Sequence, residues 1–318
     1  MLMDRRGFLA AGAALAATGL AGCATPAGGL AVPRAVPGVS THRLGSWQVT
    51  SISDGHFERP LAAGFVRNAS LDQVRQALAA AGLPTDKVTI PLNPFLLDTG
   101  RQRILIDTGT GSFGAPTSGR MLANMGAAGI DPASIDAVLI THFHGDHING
   151  LRDREGRDVF PKARVLVPAA EWDWWMDDAR MNATPANGRG NFAAVRRVFG
   201  PMTQRVERFA PNTEVLPGIR AMPAYGHTAG HTMFMATEGA QRLLFWGDLS
   251  NIAALFVRNP DWEVAFDMDP ARARAARREV LRMAASEQIT VAGFHLPDGG
   301  IGRVTARGNG YDFTPLKA

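Results

Sequence analysis

The sequence predicts an α/β fold, in which short strands alternate with helices around buried sheet. Residues 137–140, Ala-Val-Leu-Ile, form a short continuous apolar run, which is typical of a strand buried on both faces. This run leads directly into a histidine-rich segment, and open α/β sheets usually carry functional residues at the carboxyl ends of such strands. The chain also has 35 glycines and 20 prolines, which indicate many tight turns between short elements.

Local patterns place the elements in order along the chain. Residues 47–52 alternate in polarity before a turn signal at Asp54-Gly55, so the first strands are expected within 41–60. A helix is expected over 71–81, because Gly82 and Pro84 close it. Further strands are expected at 94–98, 103–107, 137–140, 163–167, 219–223, 232–237, 242–246 and 289–292, helices at 120–128, 169–179 and 192–199, and a loop at 109–119.

A long helix is predicted over 270–287, since Asp269 suits its N-cap and Pro270 its first position. Four arginines at 272, 274, 277 and 278 are expected on its solvated face. This basic cluster has no base-reading motif beside it, so the formal charge of +4 does not predict a nucleic-acid partner. With 46% hydrophobic and 19% charged residues, the chain is expected to fold, and no internal linker divides residues 41–318.

The first 40 residues are predicted to lie outside the folded domain. Arg5 and Arg6 precede an apolar run at 9–21, a layout that resembles a twin-arginine export signal, and the run is short for a membrane span. The segment 20–23 resembles a bacterial lipoprotein box, so lipidation of Cys23 is expected, with cleavage to a soluble protein as the alternative. The prediction is a signal at 1–23, a flexible tether at 24–40, and a periplasmic or membrane-anchored hydrolase domain at 41–318.

The histidines point to a metal site. The chain has only eight, yet His142, His144 and His147 lie within six residues, beside Asp146. Imidazole and carboxylate groups together suit Zn²⁺ and related divalent ions. Cys23 is the only cysteine, which excludes a thiolate site in the folded domain. A solvated polar loop is the alternative, but it does not explain the other pieces that flank predicted strands, which are Gly226-His227-Thr-Ala-Gly-His231, Gly247-Asp248 and Phe294-His295.

This order of motifs resembles the metallo-β-lactamase superfamily, from about residue 42 to the C terminus. The resemblance implies an αββα sandwich, with two mixed β-sheets flanked by helices and two metal ions at one edge. Zn²⁺ is the expected ion, with Mn, Fe and Co as alternatives, and His231 is expected to support the site without binding metal. By resemblance, one ion is held by His142, His144 and His227, the other by Asp146, His147 and His295, and Asp248 bridges both.

Within the superfamily, the sequence is most similar to methyl parathion hydrolases and related lactonases. The similarity rests on residues 105–114, 247–249, 295–297 and 300–311. It implies an aromatic substrate pocket formed by Phe113, Trp175 and Phe192, for which core packing is the alternative. Acyl-homoserine lactonases carry a tyrosine shortly after the bridging aspartate, whereas residues 249–252 here are Leu-Ser-Asn-Ile, which weakens that assignment.

The expected activity is hydrolysis of a neutral lactone or aryl ester by a metal-bridging hydroxide, because two such cations lower the pKa of a shared water to about 7. Asp146 and Asp248 are the expected catalytic carboxylates, and Asp146 is expected to move a proton. Phosphotriester hydrolysis is a related expectation. Neutral substrates are favoured because the motifs contain no arginine or lysine to hold an anion. Alternatives are a glyoxalase II-type thioesterase, a di-iron oxidoreductase and a non-catalytic metal binder, and a homodimer is expected by analogy.

Overall fold

The computed structural model describes residues 36–317. The strands, numbered in chain order, are β1 Val39–Leu44, β2 Trp47–Ile52, β3 Gly55–Pro60, β4 Lys87–Leu92, β5 Phe95–Asp98, β6 Arg103–Ile106, β7 Ala137–Leu139, β8 Arg164–Pro168, β9 Val206–Phe209, β10 Glu214–Leu216, β11 Ile219–Pro223, β12 Thr232–Glu238, β13 Gln241–Phe245, β14 Thr290–Ala292, β15 Ile301–Arg307 and β16 Gly310–Pro315.

The α-helices are α1 Leu71–Ala80, α2 Met121–Ala127, α3 Gly145–Ile148, α4 Ala169–Trp175, α5 Asp178–Ala183, α6 Gly190–Phe199 and α7 Pro270–Ser286. Short 3₁₀ turns lie at Gly111–Phe113, Pro132–Ser134, Asn149–Leu151, Ala186–Gly188 and Gly200–Met202, and Ala253–Val257 form a single π-helical turn. None of the helices in the described part of the chain is long and apolar enough to cross a membrane.

The strands form two large sheets and one hairpin. One sheet has the order β1-β2-β5-β6-β7-β8-β9, and the other has the order β10-β11-β12-β13-β14-β15-β16. The first is mixed, because β6 to β9 pair in parallel and the remaining neighbours are antiparallel. The second is mixed through its parallel β13–β14 pair. The β3–β4 hairpin stands apart from both sheets.

Alternation along β13 shows how the layers pack. Leu243 and Phe245 point into a core between the two sheets, where they meet residues of the first sheet such as Leu139. Leu244 points the other way, into a core beneath α7 that includes Leu281. A third core joins the outer face of the first sheet to α2, α4 and α6. The result is the four-layer αββα sandwich that the resemblance implies.

The β3–β4 hairpin has its own small core, which it shares with α1 and the π-helical turn. Phe65, Val88, Ile90 and Phe256 are buried there. The start of α1 is fixed by a capping box in which Ser70 and Gln73 bond to each other's backbone N–H. This layer lies beside the edge of the sandwich and contributes residues to the cavity described below.

Two sequence-based predictions in the helices are wrong. The helix expected over 169–179 is two helices, because the carboxylate of Asp177 accepts hydrogen bonds from the N–H groups of Ala179 and Arg180 and starts α5 as its N-cap. The four arginines of α7 do not share one solvated face, because the side chain of Arg277 is buried and hydrogen-bonded inside the protein. The predicted start of α7 is confirmed, with Asp269 accepting from the N–H of Arg272.

The predictions for the N terminus remain predictions. The signal at 1–23, with Cys23 and the twin arginines, lies outside the described residues, as does most of the tether. At the far end of the proposed tether, β1 begins at Val39.

Candidate metal centre

The predicted ligands lie on loops that follow inner strands of both sheets. The loop after β7 carries His142 and His144, and α3 continues it with Asp146 and His147. Across the sandwich, the loops after β11, β13 and β14 carry the remaining three. Because these strands end at one edge of the sandwich, the structure brings together all seven side chains predicted from the sequence, which are His142, His144, Asp146, His147, His227, Asp248 and His295.

The first group of donor atoms comes from three histidines and Asp248. His144 presents its Nδ1 atom, which lies 3.1 Å from Nε2 of His142 and 3.0 Å from Nε2 of His227. Oδ2 of Asp248 lies 3.1 Å from Nε2 of His227 and 4.0 Å from Nε2 of His142. These four side chains surround one point and can hold one metal ion.

The second group shares Asp248 with the first. Oδ2 of Asp146 lies 3.6 Å from Nε2 of His147 and 3.5 Å from Nε2 of His295. Asp248 approaches the same two rings, with Oδ1 3.1 Å from His147 and Oδ2 3.1 Å from His295. Asp248 therefore lies between the two groups and contacts both.

These contacts fit metal ligation better than hydrogen bonding. Nε2 of His147 and Oδ1 of Asp248 are buried, and neither has a hydrogen-bond partner within the described residues despite their separation of 3.1 Å. Buried polar atoms are normally satisfied, so such a pair indicates a missing partner. Metal bonds of about 2.0–2.1 Å keep neighbouring nitrogens roughly 3–3.5 Å apart, which is the spacing found among the histidines. The chemistry of the donors suits a borderline divalent ion.

A second layer of side chains orients the histidines. Nδ1 of His147 donates to Oδ2 of Asp107 at 2.8 Å, and that carboxylate also accepts from the backbone N–H and hydroxyl of Thr141. Nδ1 of His227 donates to Oδ1 of Asp267 at 3.0 Å. In each pair the carboxylate keeps the proton on Nδ1, so Nε2 is free to bind a metal. Nδ1 of His295 is held in the same way by the carbonyl oxygen of Pro91, at 2.7 Å.

Sequence reasoning missed Asp107 and Asp267, and also two further buried charged residues of this layer. Arg277 donates to Oδ2 of Asp267 at 3.2 Å and to the carbonyl oxygen of Leu249 at 2.8 Å. The carboxylate of Glu171 is fully buried and accepts from the N–H groups of Phe143, at 2.8 Å, and Gly230, at 2.6 Å. Glu171 therefore ties the loop of His142 to the loop of His227. Neither residue has a sequence signal, because each acts through partners that are distant along the chain.

His231 supports Asp248 from behind. Its Nε2 accepts the backbone N–H of Asp248 at 2.9 Å, and its Nδ1 donates to the carbonyl oxygen of Ala224 at 3.0 Å. Burial and the neighbouring His227 lower the pKa of His231 to about 3, so its ring is neutral, as these two bonds require. This position agrees with the supporting role expected for the second histidine of its motif.

Burial and the charge of Asp248 shift the pKa values of the clustered histidines. Burial, with added repulsion from neighbouring histidines, holds the pKa values of His142 and His144 well below the usual value. Burial also opposes the charge on His227, but Asp248 and Asp267 outweigh it and raise its pKa to about 9. The metal-free site therefore holds protons that a metal ion would have to displace.

A cavity of about 610 Å³ opens onto the two groups. His144, Asp146, His227, Asp248 and His295 form its metal-binding wall. The remaining lining residues come from the β3–β4 hairpin, from α3 and α6, and from neighbouring loops. They are Phe57, Glu58, Arg59, Ile90, Gly145, Asn191, Asn251 and Phe266.

The aromatic residues predicted to form the pocket lie elsewhere. Trp175 and Phe192 are buried in the core beneath α4 and α6, where their rings meet edge to face with centroids 4.8 Å apart. Trp175 also donates from its indole to Glu171 at 2.9 Å. Phe113 is partly exposed under the guanidinium of Arg197. None of the three lines the cavity, and core packing, the alternative weighed for them, describes Trp175 and Phe192.

Comparisons with known proteins agree with the fold. A family model described as the metallo-beta-lactamase superfamily matches residues 90–295. The solved structure of AidC, a dizinc quorum-quenching lactonase, shares the fold with a TM-score of 0.83 at 24% identity, covering 88% of this chain and 98% of AidC. That of hydrolase AbOPH in the beta lactamase superfamily has a TM-score of 0.83 at 26% identity, covering 90% of this chain and 99% of AbOPH.

Relatives at the level of sequence are matched over part of their length. Atrochrysone carboxyl ACP thioesterase of Passalora fulva is 30% identical over 157 residues, which are 49% of this chain and 37% of the thioesterase. Lactamase-like protein aptB of Emericella nidulans is 43% identical over 158 residues, which are 49% of this chain and 39% of aptB. The chain thus spans less than half the length of these relatives.

Proposed function

The chain belongs to the metallo-beta-lactamase superfamily, and on this basis we propose that it is a binuclear metal-dependent hydrolase of small lactones and aryl esters. The proposal is carried by one observation. Two groups of histidine and aspartate side chains meet at Asp248, and both face a cavity large enough for a small organic substrate. We propose Zn²⁺ as the ion in both groups, since imidazole nitrogen and carboxylate oxygen are ligands that it favours.

The two aspartates of the site, Asp248 and Asp146, differ in burial and therefore in their proposed roles. When bound, a pair of divalent ions supplies Lewis acidity and activates water near neutral pH. Asp248 is buried and fixed by its bond to His231 and by the amide of Asn251, which donates to its Oδ2 at 3.2 Å. Asp146 is more accessible, with 16% of its side chain exposed, and it lines the cavity. We therefore propose that Asp146 accepts the proton of the attacking water and passes it to the leaving group.

The cavity favours a substrate with an apolar body. Phe57, Ile90 and Phe266 contribute apolar side chains to its walls. The uncharged polar side chains on its walls are those of Asn251 and Asn191, and the amide of Asn191 donates to the carbonyl oxygen of Phe143 at 3.2 Å. This mixture of apolar walls and few polar groups is typical of a small-molecule site.

The experiment is a comparison of kcat/KM on a neutral aromatic lactone, an aryl ester and an aryl dialkyl phosphotriester. Each assay is repeated after chelation and after Zn²⁺ is added back. We expect the lactone and aryl ester to be cleaved faster than the phosphotriester, and all activity to depend on metal. A phosphotriester preference would change the substrate class, and activity that survives complete removal of metal would refute the proposal.

A thioesterase is the second candidate, favoured by the similarity to atrochrysone carboxyl ACP thioesterase. The same site could cleave a thioester, because the acyl carbon is attacked in both reactions. An oxoester and a thioester with the same acyl group separate the candidates. A thioesterase would be favoured if the enzyme prefers the thioester over the oxoester by more than the ratio of their uncatalysed hydrolysis rates.

We also propose export by the twin-arginine route and lipid attachment at Cys23. The support is the sequence of residues 1–23 alone. Fractionation of cells that express the wild-type chain, the Arg5→Lys and Arg6→Lys double variant and Cys23→Ser tests both steps. The double variant should stay inside the cell, and Cys23→Ser should lose its association with the membrane.

A further inference from the structure

A cation lines the cavity that opens onto the ligands. Arg59 belongs to β3, where it pairs with Val88 of β4, and it lines the same cavity as His144 and Asp146. Residues two apart on a strand point to the same side, so Arg59 accompanies Phe57, which also lines this cavity. Sequence reasoning favoured neutral substrates because the motifs contain no cation, but the hairpin lies outside the motifs.

In the described part of the chain, the guanidinium of Arg59 has no acidic partner. Among residues 36–317, no carboxylate lies within ion-pair distance of it. The neighbouring Glu58, which also lines the cavity, is bound to Lys87 at 2.8 Å, so its charge is already balanced. Arg59 is exposed, and its positive charge is available to a ligand in the cavity.

An aromatic ring positions this charge. The guanidinium carbon of Arg59 lies 5.2 Å from the ring centroid of Phe266, within the range of a cation–π contact. The ring of Phe266 is itself packed edge to face against Phe65, with centroids 5.8 Å apart. Phe266 directly precedes Asp267, the carboxylate that orients His227. The segment that orients a metal ligand therefore also carries the ring that positions Arg59.

We infer that Arg59 binds a carboxylate on the part of the substrate remote from the scissile bond, so that the preferred substrates are esters or lactones that carry a negative charge. The inference rests on the proposed function and names its substrate class. A guanidinium recognises a carboxylate through two parallel hydrogen bonds, and its planar face can stay on the Phe266 ring while it does so. The apolar walls then hold the chain that joins the carboxylate to the ester.

The test uses mono-4-nitrophenyl esters of straight-chain dicarboxylic acids of increasing length. Each is paired with the same compound capped as a methyl ester at its free carboxylate. For the wild-type protein, one chain length should give a kcat/KM about 5- to 10-fold higher for the anionic ester than for its capped partner. In Arg59→Gln this ratio should fall to about one, because most of the loss should be in cleavage of the anionic ester. In Arg59→Lys the ratio should be partly kept.

Arg101→Gln is the matched control, because Arg101 is an exposed arginine in the turn between β5 and β6 and does not line the cavity. It removes the same charge and should keep the wild-type ratio. If Arg59→Gln slows both esters equally, its role is structural and the inference is wrong. If Arg59→Gln and Arg101→Gln behave alike, the preference comes from overall charge and the inference is also wrong.

A binding measurement separates this inference from the proposed function. Cleavage of the capped esters by the wild-type protein reports on the hydrolase alone. If no ester is cleaved, the metal-loaded protein is titrated with the dicarboxylic acid and with its monoamide. We expect the wild type to bind the diacid about 5- to 10-fold more tightly than the monoamide. Arg59→Gln should bind the two compounds equally. Equal binding of both compounds to the wild type would overturn the role of Arg59.

Discussion

Asp267 accepts the Nδ1–H of His227 at 3.0 Å, and this single bond links the metal-binding wall to the core beneath α7. The other oxygen of Asp267 is bound by the buried Arg277 at 3.2 Å. Arg277 is in turn fixed by the carbonyl oxygens of Leu249 and Trp262. The orientation of one predicted ligand therefore depends on a charged pair inside the protein.

Asp267→Asn is expected to weaken metal binding by the first group about 10- to 100-fold. The amide is a poorer acceptor for the Nδ1–H of His227, and it no longer balances Arg277. Competition with a chromogenic chelator measures the affinity. Asp261→Asn is the control, since Asp261 pairs with Arg278 at the surface and should leave the affinity unchanged. Equal affinities for Asp267→Asn and the wild type would show that Asp267 does not orient His227 for metal binding.

The two neighbouring arginines of α7 should differ sharply in their contribution to stability. Arg277→Met leaves Asp267 buried without its partner, which is expected to lower the free energy of unfolding by about 3–5 kcal/mol. Arg278→Met removes an exposed arginine of the same helix and should change it little. Urea denaturation of both variants measures the difference. Similar losses would mean that Arg277 is not needed as the buried partner of Asp267.

Glu171→Gln should loosen the contact between the two ligand-bearing loops. One side-chain oxygen becomes an amide N–H that faces a backbone donor, either Phe143 or Gly230, so a buried hydrogen bond is lost at a cost of about 1–3 kcal/mol. Thermal unfolding with and without metal measures the effect. Glu207→Gln, at an exposed pair with Arg164, is the control. A Glu171→Gln protein as stable as this control would show that the buried carboxylate is not required.

Metal loading should release protons at pH 7.5. The pKa of His227 in the metal-free protein is raised to about 9, so below that pH the ring carries a proton that the ion must displace. The apparent metal affinity should therefore rise with pH until about 9 and then level off. Calorimetric titration in buffers of different ionisation enthalpy counts the protons. A binding enthalpy that is the same in every buffer would contradict a protonated His227.

The metal ligands could be predicted from the sequence because each lies in a short motif next to a strand. His142 to His147 directly follow a buried apolar run, and that local pattern fixes both their place and their neighbours. The side chains that orient these ligands were not predictable in the same way. Asp267 contacts His227, and Arg277 contacts Asp267, only after α7 packs onto the second sheet. No spacing along the chain records these contacts.

The residues that line the cavity were likewise not predictable from local sequence patterns. Trp175 and Phe192 have the residue types expected of a pocket, but the core beneath α4 and α6 buries both. The residues that do line the cavity include Phe57 and Arg59 on a hairpin whose strands were not separately predicted, because β3 lacks a clear apolar alternation. Substrate-facing residues depend on how this hairpin packs at the edge of the sandwich, which a local pattern does not specify.

Asp248 is the carboxylate proposed to join two metal sites in a hydrolase. The most direct test is titration of the metal-free protein with Zn²⁺, followed at each step by the metal bound and by kcat/KM on an aryl ester. We expect two ions per chain, activity that appears as they bind, and in Asp248→Ala both a loss of bound metal and a loss of most activity. An Asp248→Ala protein that binds two ions and turns over at the full rate would contradict the account.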